Sequence, residues 1–296
     1  MKPRIAFIGF GEAGQAMAAG LRDEGVGEIA AWDILFPDAA GAKLIEAANK
    51  IGVRIASSAE DAAHDAEIVI AAVTAASSYE AAQPLAGKLT GKPLYLDVNS
   101  VSPGRKQATA GLLGDGARYV DVAIVSPILP ARHKSPMMLA GPHASDAAPA
   151  LSGLGMKTEV VGAEIGAAAA IKMIRSVMIK GIEALSLECF LAAHRAGVVD
   201  QVAASLRNNY PGVDWANMSS YNIERMASHG IRRAAEMREV AATLRELGVS
   251  PVMTERTIER QQQLGEVGRD PQTKKAVAKG RTDMLAAIDA ALPERR

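Results

Sequence analysis

An α/β half followed by an all-helical half is the architecture that three features of this 296-residue chain predict. Short apolar runs alternate with alanine-rich stretches of helical period up to residue 161. Strand signals fade after Thr158–Val161, and from Ile165 to Arg195 one helical pattern runs without a proline. Roughly 100–200 residues per domain also makes two domains the natural division. The boundary is expected near Gly162, giving 1–161 and 162–296.

Taken in order, the predicted strands are Arg4–Ile8, Glu28–Trp32, Ile68–Ala72, Leu94–Asp97 and Tyr119–Ile124. They are too uniformly apolar to alternate, which suits strands of a doubly wound parallel sheet covered on both faces. Helices are predicted at Ala13–Glu24, Ala39–Lys50, Ser58–His64 and Gly104–Leu113, the last after the start signal of Pro103. The second half reads as helices at Gln201–Asn208, Ser219–Ser228, Ile231–Leu247, Thr254–Leu264 and Thr273–Ala291, with turns at Pro211 and Gly212 and at Gly248 and Pro251.

Composition narrows the function. Lys plus Arg number 33 and Asp plus Glu 33, so no excess of positive charge is available to hold a polyanion. Four Phe, five Tyr and two Trp are too few for base-stacking platforms, and nucleic acid is not an expected partner. Cys189 is the single cysteine, so no intrachain disulfide forms, no zinc-type spacing exists, and a reducing cytoplasm fits. Lys2, Arg4 and the apolar run behind them superficially resemble a leader peptide, but Glu12 interrupts it. Glu164, Lys172 and Arg175 likewise break the one long apolar stretch, so no membrane span is expected.

The segment from Ile5 to Gly14 reads I-A-F-I-G-F-G-E-A-G, placing G-x-G-x-x-G between a predicted strand and a predicted helix. Gly9 permits the tight turn, Gly11 lets the backbone approach a pyrophosphate, and Gly14 lets the helix pack on the strand. The helix mouth then offers N–H groups and partial positive charge to phosphate. A Rossmann-type dinucleotide-binding domain follows. Asp33, nineteen residues beyond Gly14, ends the second strand, where a carboxylate accepts the ribose hydroxyls and repels a 2′-phosphate. No arginine follows within Ile34–Gly41, so NAD is favoured over NADP. Glu12, Ala13, Val73, Thr74 and Asn99 join these as candidate cofactor contacts. The bland alternatives are a plain connecting turn and, for Asp33, a cap, for which Asp38 is the more obvious residue.

The long helix is apolar nearly all round, with Ile171, Met173, Ile174, Val177, Met178, Ile182, Leu185 and Leu187, and is therefore expected to be buried. Yet Lys172, Ser176, Lys180 and Glu183 recur at spacings of four, four and three, with Arg175 beside them. Such a stripe must face water, partner charges or a ligand. An internal ion pair such as Lys180 with Glu183 and a ligand site both remain open on spacing alone.

Taken with the glycine motif, the run from Gly166 through Lys172 to Arg175 and Ser176 resembles the catalytic-helix motif of the β-hydroxyacid dehydrogenase family, which includes 3-hydroxyisobutyrate and 6-phosphogluconate dehydrogenases. The resemblance implies NAD(P)-dependent hydride transfer on a small 3-hydroxy acid or its oxo partner, with Lys172 as general acid/base. The family's asparagine is replaced by Arg175 or Ser176. Leu96–Pro103 is similar to the family's substrate-binding segment, making Asn99 and Ser100 candidates. Val120–Pro127 occupies the place of its serine-glycine-glycine loop, with Ser126 present but Pro127 lacking an N–H. Arg175 is then the expected anchor for a substrate carboxylate. Burial beside Arg175 and Lys180 is expected to lower the Lys172 pKa. The resemblance runs to about residue 190, and the tail is more like a divergent branch with its own helical C-terminal domain for substrate and dimer contacts. Imine reductases share this plan but typically lack the lysine; a dinucleotide-binding regulator without chemistry would need neither Lys172 nor Asn99 and Ser100. His133 is a weaker substrate-side candidate, Cys189 reads as a small apolar residue, and an all-round apolar helix calls for a homodimer.

Overall fold

The computed structural model describes residues 2–292. The chain forms two compact units, one ending at Met173 and the other beginning at Ile174. The first is built on eight strands: β1 (Ile5–Ile8), β2 (Ile29–Trp32), β3 (Arg54–Ile55), β4 (Ile68–Ala71), β5 (Leu94–Asp97), β6 (Arg118–Ile124), β7 (Met137–Ala140) and β8 (Thr158–Gly162). Their order is β3-β2-β1-β4-β5-β6-β7-β8. β1 to β6 are parallel, β7 runs antiparallel to β6, and β8 is parallel to β7. The five predicted strands are parallel to one another as expected, and the sheet is mixed because the unpredicted β7 runs antiparallel to β6. The β6–β7 connection has only a 3-10 turn at Arg132–Lys134 as its helical element, without the crossover helix that usually joins parallel neighbours.

The helices of this unit are α1 (Glu12–Asp23), α2 (Ala42–Ile51), α3 (Ala59–Ala63), α4 (Ser78–Ala82), α5 (Pro103–Leu113) and α6 (Ala144–Ser152). Alternate residues of β1 feed two cores. Ile5 and Phe7 pack with Met17 and Leu21 of α1, whereas Ala6 and Ile8 pack with Ala59, Ala62 and Ala63 of α3. Both faces are therefore covered, which explains why the strands carry no polar alternation. Strand order reverses between β1 and β4, the switch point at which sheets of this kind bind ligands.

His133 is buried on the α1 side of this unit. A Cβ at Gly20 of α1 would lie 2.0 Å from its Nδ1, and its Nε2 is 3.6 Å from Glu24 Oε1. It is packing for α1, and burial pushes its imidazole pKa down, against the pull of Glu24.

The second unit comprises α7 (Ala167–Arg195) from Ile174 onward, with α8 (Val199–Asn209), α9 (Trp215–Glu246), α10 (Val252–Val267), α11 (Pro271–Val277) and α12 (Arg281–Ala291). Leu187, Phe190, Ile223, Met226, Leu264, Leu285 and Ile288 form its core. α9 continues through Gly230, where the sequence suggested a break, because α10 crosses against it there. A Cβ on Gly230 would meet Gln261 O at 2.2 Å, and one on Gly265 would meet Ile231 N at 2.4 Å. Conversely, Gly280, at φ +115, separates α11 from α12 within a stretch that reads as one helix.

The polar stripe of α7 is spent on this unit's own packing from Ser176 onward. Lys180 pairs with Glu236 of α9 at 3.0 Å rather than with Glu183. Glu183 accepts from both Nε (3.0 Å) and a terminal nitrogen of Arg233, and from Gln261 Nε2 at 2.8 Å. Asn222 Nδ2 donates to Ser186 Oγ at 3.0 Å. The expectation of an all-round buried helix is corrected: Ile174, Met178, Ile179 and Leu185 are exposed on the single chain, and so is Cys189. Among the described residues no helix is long and apolar enough to cross a membrane, and no cluster of three His, Cys, Asp or Glu side chains could hold a metal.

Two outcomes follow from this packing. Gly265→Ala should lower stability by about 1–3 kcal/mol, the usual cost of overpacking, read as a fall in thermal midpoint. As pH drops below about 6.5 the unfolded chain protonates at position 133 before the native chain does, so stability should decline; His133→Phe should show a smaller fall between about pH 7.5 and about pH 5.5.

Candidate active site

Gly9, directly after β1, has φ +93 and donates its N–H to Trp32 O at 2.8 Å. A Cβ there would lie 2.5 Å from Ala72 O, so the loops after β1 and β4 touch at this point. A Cβ on Gly14 would lie 2.6 Å from Gly9 O, which is how closely α1 rests on the turn. Gly11, the N-cap of α1, faces open space: a Cβ added there would have nothing within 4 Å. The first intrahelical bond runs from Gln15 N–H to Gly11 O, leaving the N–H groups of Glu12, Ala13 and Gly14 at the helix mouth without helical acceptors. These are the three conditions for receiving a diphosphate: a strained turn, a close helix and an unobstructed approach.

Asp33 follows β2 and binds the same turn. Its Oδ2 accepts Phe10 N–H at 2.7 Å and its Oδ1 accepts Leu35 N–H at 3.0 Å. Each carboxylate oxygen has a second lone pair, so the group can hold the loop and still accept ribose hydroxyls. Ile34 beside it is 79% exposed, an apolar surface next to that acceptor. Asp38 makes no side-chain cap bond.

The ends of β5 and β6 carry the rest. Lys172 Nζ donates to Ser100 Oγ at 2.6 Å. Asn99 Oδ1 accepts Val73 N–H at 2.7 Å, and Asn99 N and Nδ2 donate to Asp97 Oδ1 at 3.0 and 2.8 Å. Thr74 Oγ1 shares a hydrogen bond with Ser77 Oγ at 3.0 Å. Val73, Asn99, Ser100 and Lys172 are thus linked within the first unit. Ser126, two residues past β6, turns its hydroxyl to the Pro127 carbonyl at 3.5 Å, and Ser135 Oγ braces the same loop through Pro127 O and Ile128 O, both at 3.2 Å. Arg175 is exposed, and Ser176 is buried with its Oγ 3.4 Å from Lys180 Nζ.

Four residues that sequence reasoning missed stand beneath this group: Asp97, Lys106, Tyr119 and Asp121, all buried. Tyr119 OH donates to Asp97 Oδ2 at 2.7 Å, and burial together with Asp97 pushes the Tyr119 pKa well up. The signal for them was slight, an acid at the end of one apolar strand, another midway along the next, and one lysine in a short helix; only the β5–β6 register sets Asp97 beside Asp121. A cavity of about 550 Å³ lies in the helical unit, lined by His229, Arg232, Arg269 and Lys274 among others; none of the sequence-predicted site residues lines it.

Two solved structures that match over most of the chain are at least 31% identical to it. A conserved hypothetical protein from Sinorhizobium meliloti is 34% identical, covering 99% of this chain and 97% of that one, with a TM-score of 0.80. The conserved protein MTH1747, described as structurally similar to 3-hydroxyacid dehydrogenases, is 31% identical over 90% of this chain and 98% of its own, with a TM-score of 0.72. The chain belongs to the family of these two conserved proteins. A family model described as NADP oxidoreductase, coenzyme F420-dependent, matches residues 4–99, and a domain of unknown function, DUF1932, matches residues 193–264. An uncharacterized 28.5 kDa protein from Methanothermus fervidus is 29% identical over 84% of this chain and 94% of its own length. The family shares its fold with 3-hydroxyisobutyrate dehydrogenase of Mycobacterium tuberculosis, at 19% identity, 98% and 99% coverage and a TM-score of 0.72. The fold is accordingly that of the dinucleotide-binding oxidoreductases.

The glycine geometry separates two substitutions. Gly11→Ala should keep the native thermal midpoint yet weaken NADH binding by about tenfold or more, because its methyl enters only the open approach to the helix mouth. Gly9→Ala should lose stability as well, since φ and space both oppose it. Fluorescence titration with NADH beside a thermal melt distinguishes them.

Proposed function

We propose that this protein is an NAD-dependent oxidoreductase that moves hydride between the nicotinamide and a small 3-hydroxy acid or its oxo partner, with Lys172 as general acid/base. The observation that carries this reading is the 2.6 Å contact of Lys172 Nζ with Ser100 Oγ, in the same unit as the glycine turn and tied to it through Asn99 and Val73. When bound, the dinucleotide supplies or accepts the hydride. Gly9, Gly11 and Gly14 shape its diphosphate seat, the N–H groups of Glu12 and Ala13 meet the phosphates, and Asp33 accepts the ribose hydroxyls in a way that favours NAD over NADP.

In oxidation the Lys172 amine takes the proton from the substrate hydroxyl; in reduction its ammonium returns one to the carbonyl oxygen. Ser100 Oγ holds that amine in place and offers the substrate oxygen a second polar contact. Asn99 has most of its amide committed to Asp97 and Val73, so it contributes at most one N–H to a ligand. Arg175 lies one helical turn past Lys172, and its planar guanidinium suits bidentate capture of a substrate carboxylate in place of the missing glycine pair. Ser126 is a secondary contact in this scheme, whereas Ser176 is committed to Lys180. The exposed Ile174, Met178, Ile179 and Leu185 are the surface expected to be covered in a homodimer, and an unpaired, exposed Cys189 suits the reducing cytoplasm.

Lys172→Ala should bind NADH as the parent does but lose turnover about 100-fold or more across a panel of small 3-hydroxy acids. Undiminished turnover removes Lys172 from the chemistry. Turnover confined to cyclic imines would assign imine reduction instead, and NADH binding with no turnover of either panel would leave a dinucleotide-binding regulator.

A further inference from the structure

Lys106 sits on α5 with its side chain wholly withdrawn from water, an uncommon place for an ammonium. Its Nζ donates to the Asp97 main-chain carbonyl at 2.5 Å and lies 3.1 Å from Asp97 Oδ1 and 3.4 Å from Asp121 Oδ1. Both carboxylates are equally buried. One cation between two anions leaves the cluster with one unit of negative charge in excess. Burying such charge is costly, so its retention needs a purpose or full hydrogen bonding.

The hydrogen bonds lead to the candidate site by two arms. Asp97 Oδ1 takes the N–H and Nδ2 of Asn99, whose Oδ1 in turn takes Val73 N–H. Asp121 Oδ2 takes the N–H groups of Gly166 and Ala169 at the head of α7, at 3.1 and 3.0 Å. Ala169 and Lys172 are three residues apart on that helix, one above the other. The same three buried side chains therefore fix the loop that bears Ser100 and the turn that bears Lys172.

We propose that Asp97, Lys106 and Asp121 form a positioning cluster for Lys172, holding its helix and its Ser100 partner in register and setting the proton affinity of its amine through the cluster's excess negative charge. This deepens the reading of Lys172 as the acid/base group. Of the other ionisable groups on the elements concerned, Tyr95 and Tyr119 stay neutral because burial and Asp97 push them far up. Arg105, Arg118, Glu164 and Arg175 are common to every variant below.

The test reads Lys172 without requiring turnover. Trace acetylation by acetic anhydride across a pH series, quantified by mass spectrometry at the Lys172 peptide, gives the midpoint at which the amine loses its proton. Asp121→Asn keeps an oxygen acceptor for the α7 N–H groups but removes the excess charge. Its midpoint should fall by about one pH unit, the scale of losing one nearby charge in a medium of intermediate dielectric. Adding Lys106→Met restores the original charge balance and should return the midpoint to the parent value. Packing alone predicts no such recovery. An unchanged midpoint in folded Asp121→Asn, or a double variant that stays shifted, overturns the proposal. Should Asp121→Asn fail to fold, Tyr119→Phe decides: loss of the hydroxyl that tempers Asp97 should raise the midpoint, and no movement overturns the proposal. If the charge effects appear while Lys172→Ala retains full turnover, the cluster stands and the acid/base assignment falls.

Discussion

Two carboxylates and an ammonium sealed beneath the carboxyl ends of β5 and β6 are the constraint on which the candidate site rests. Charge removed from water is tolerated only when each lone pair and proton finds a partner. Here most partners come from Tyr119, Asn99, the Asp97 carbonyl and the first amides of α7, and Asp121 Oδ1 has the Lys106 ammonium at 3.4 Å. Satisfying the charges therefore forces strands, loop and helix into one arrangement. A wholly apolar core at the same place would pack as well and would leave the Ser100 loop and the α7 entry free to adjust independently.

The glycine turn was readable because its physics is local. A positive φ at Gly9, a contact of Gly14 with Gly9 O, and an open position 11 all concern residues close together in the chain, and spacing alone announces them. Asp33 was readable as a strand-end acid, though not its grip on Phe10 N–H, which depends on how the loop folds back. The Asp97–Lys106–Asp121 cluster was not readable. Asp97 and Asp121 are neighbours only through strand register, and Lys106, taken alone, looks like any charge on a short surface helix. β7 was missed for a related reason: four residues between a proline and a glycine carry too little pattern to announce a strand.

The stripe on α7 shows where periodicity stops being informative. Spacing correctly places Lys172, Ser176, Lys180 and Glu183 along one side of a helix, but it says nothing of what lies opposite. The structure divides the stripe: Lys172 meets Ser100 of the first unit, whereas Lys180 and Glu183 find Glu236 and Arg233 of the second. A polar line on a mainly apolar helix thus signals buried partners without telling a ligand site from an ion pair. Gly230 carries a similar ambiguity. A glycine within a helical pattern reads as a stop, yet here it is the point at which a neighbouring helix comes close enough to touch backbone.

Under the proposed function, Asp33 would join cofactor choice to loop integrity. A carboxylate that only selected between a ribose hydroxyl and a 2′-phosphate could be exchanged for a small or basic residue with little effect on the fold. This one also accepts the Phe10 and Leu35 amides, one on each oxygen, and Phe10 stands between the first two glycines of the turn. Removing the carboxylate would strand the Phe10 N–H in a half-buried place, a loss that costs more than an unmade surface hydrogen bond. In the proposed reading, the atoms that hold the glycine turn are therefore the same ones that would accept the ribose hydroxyls. Replacing Asp33 by a basic residue would therefore also have to supply a new acceptor for that amide.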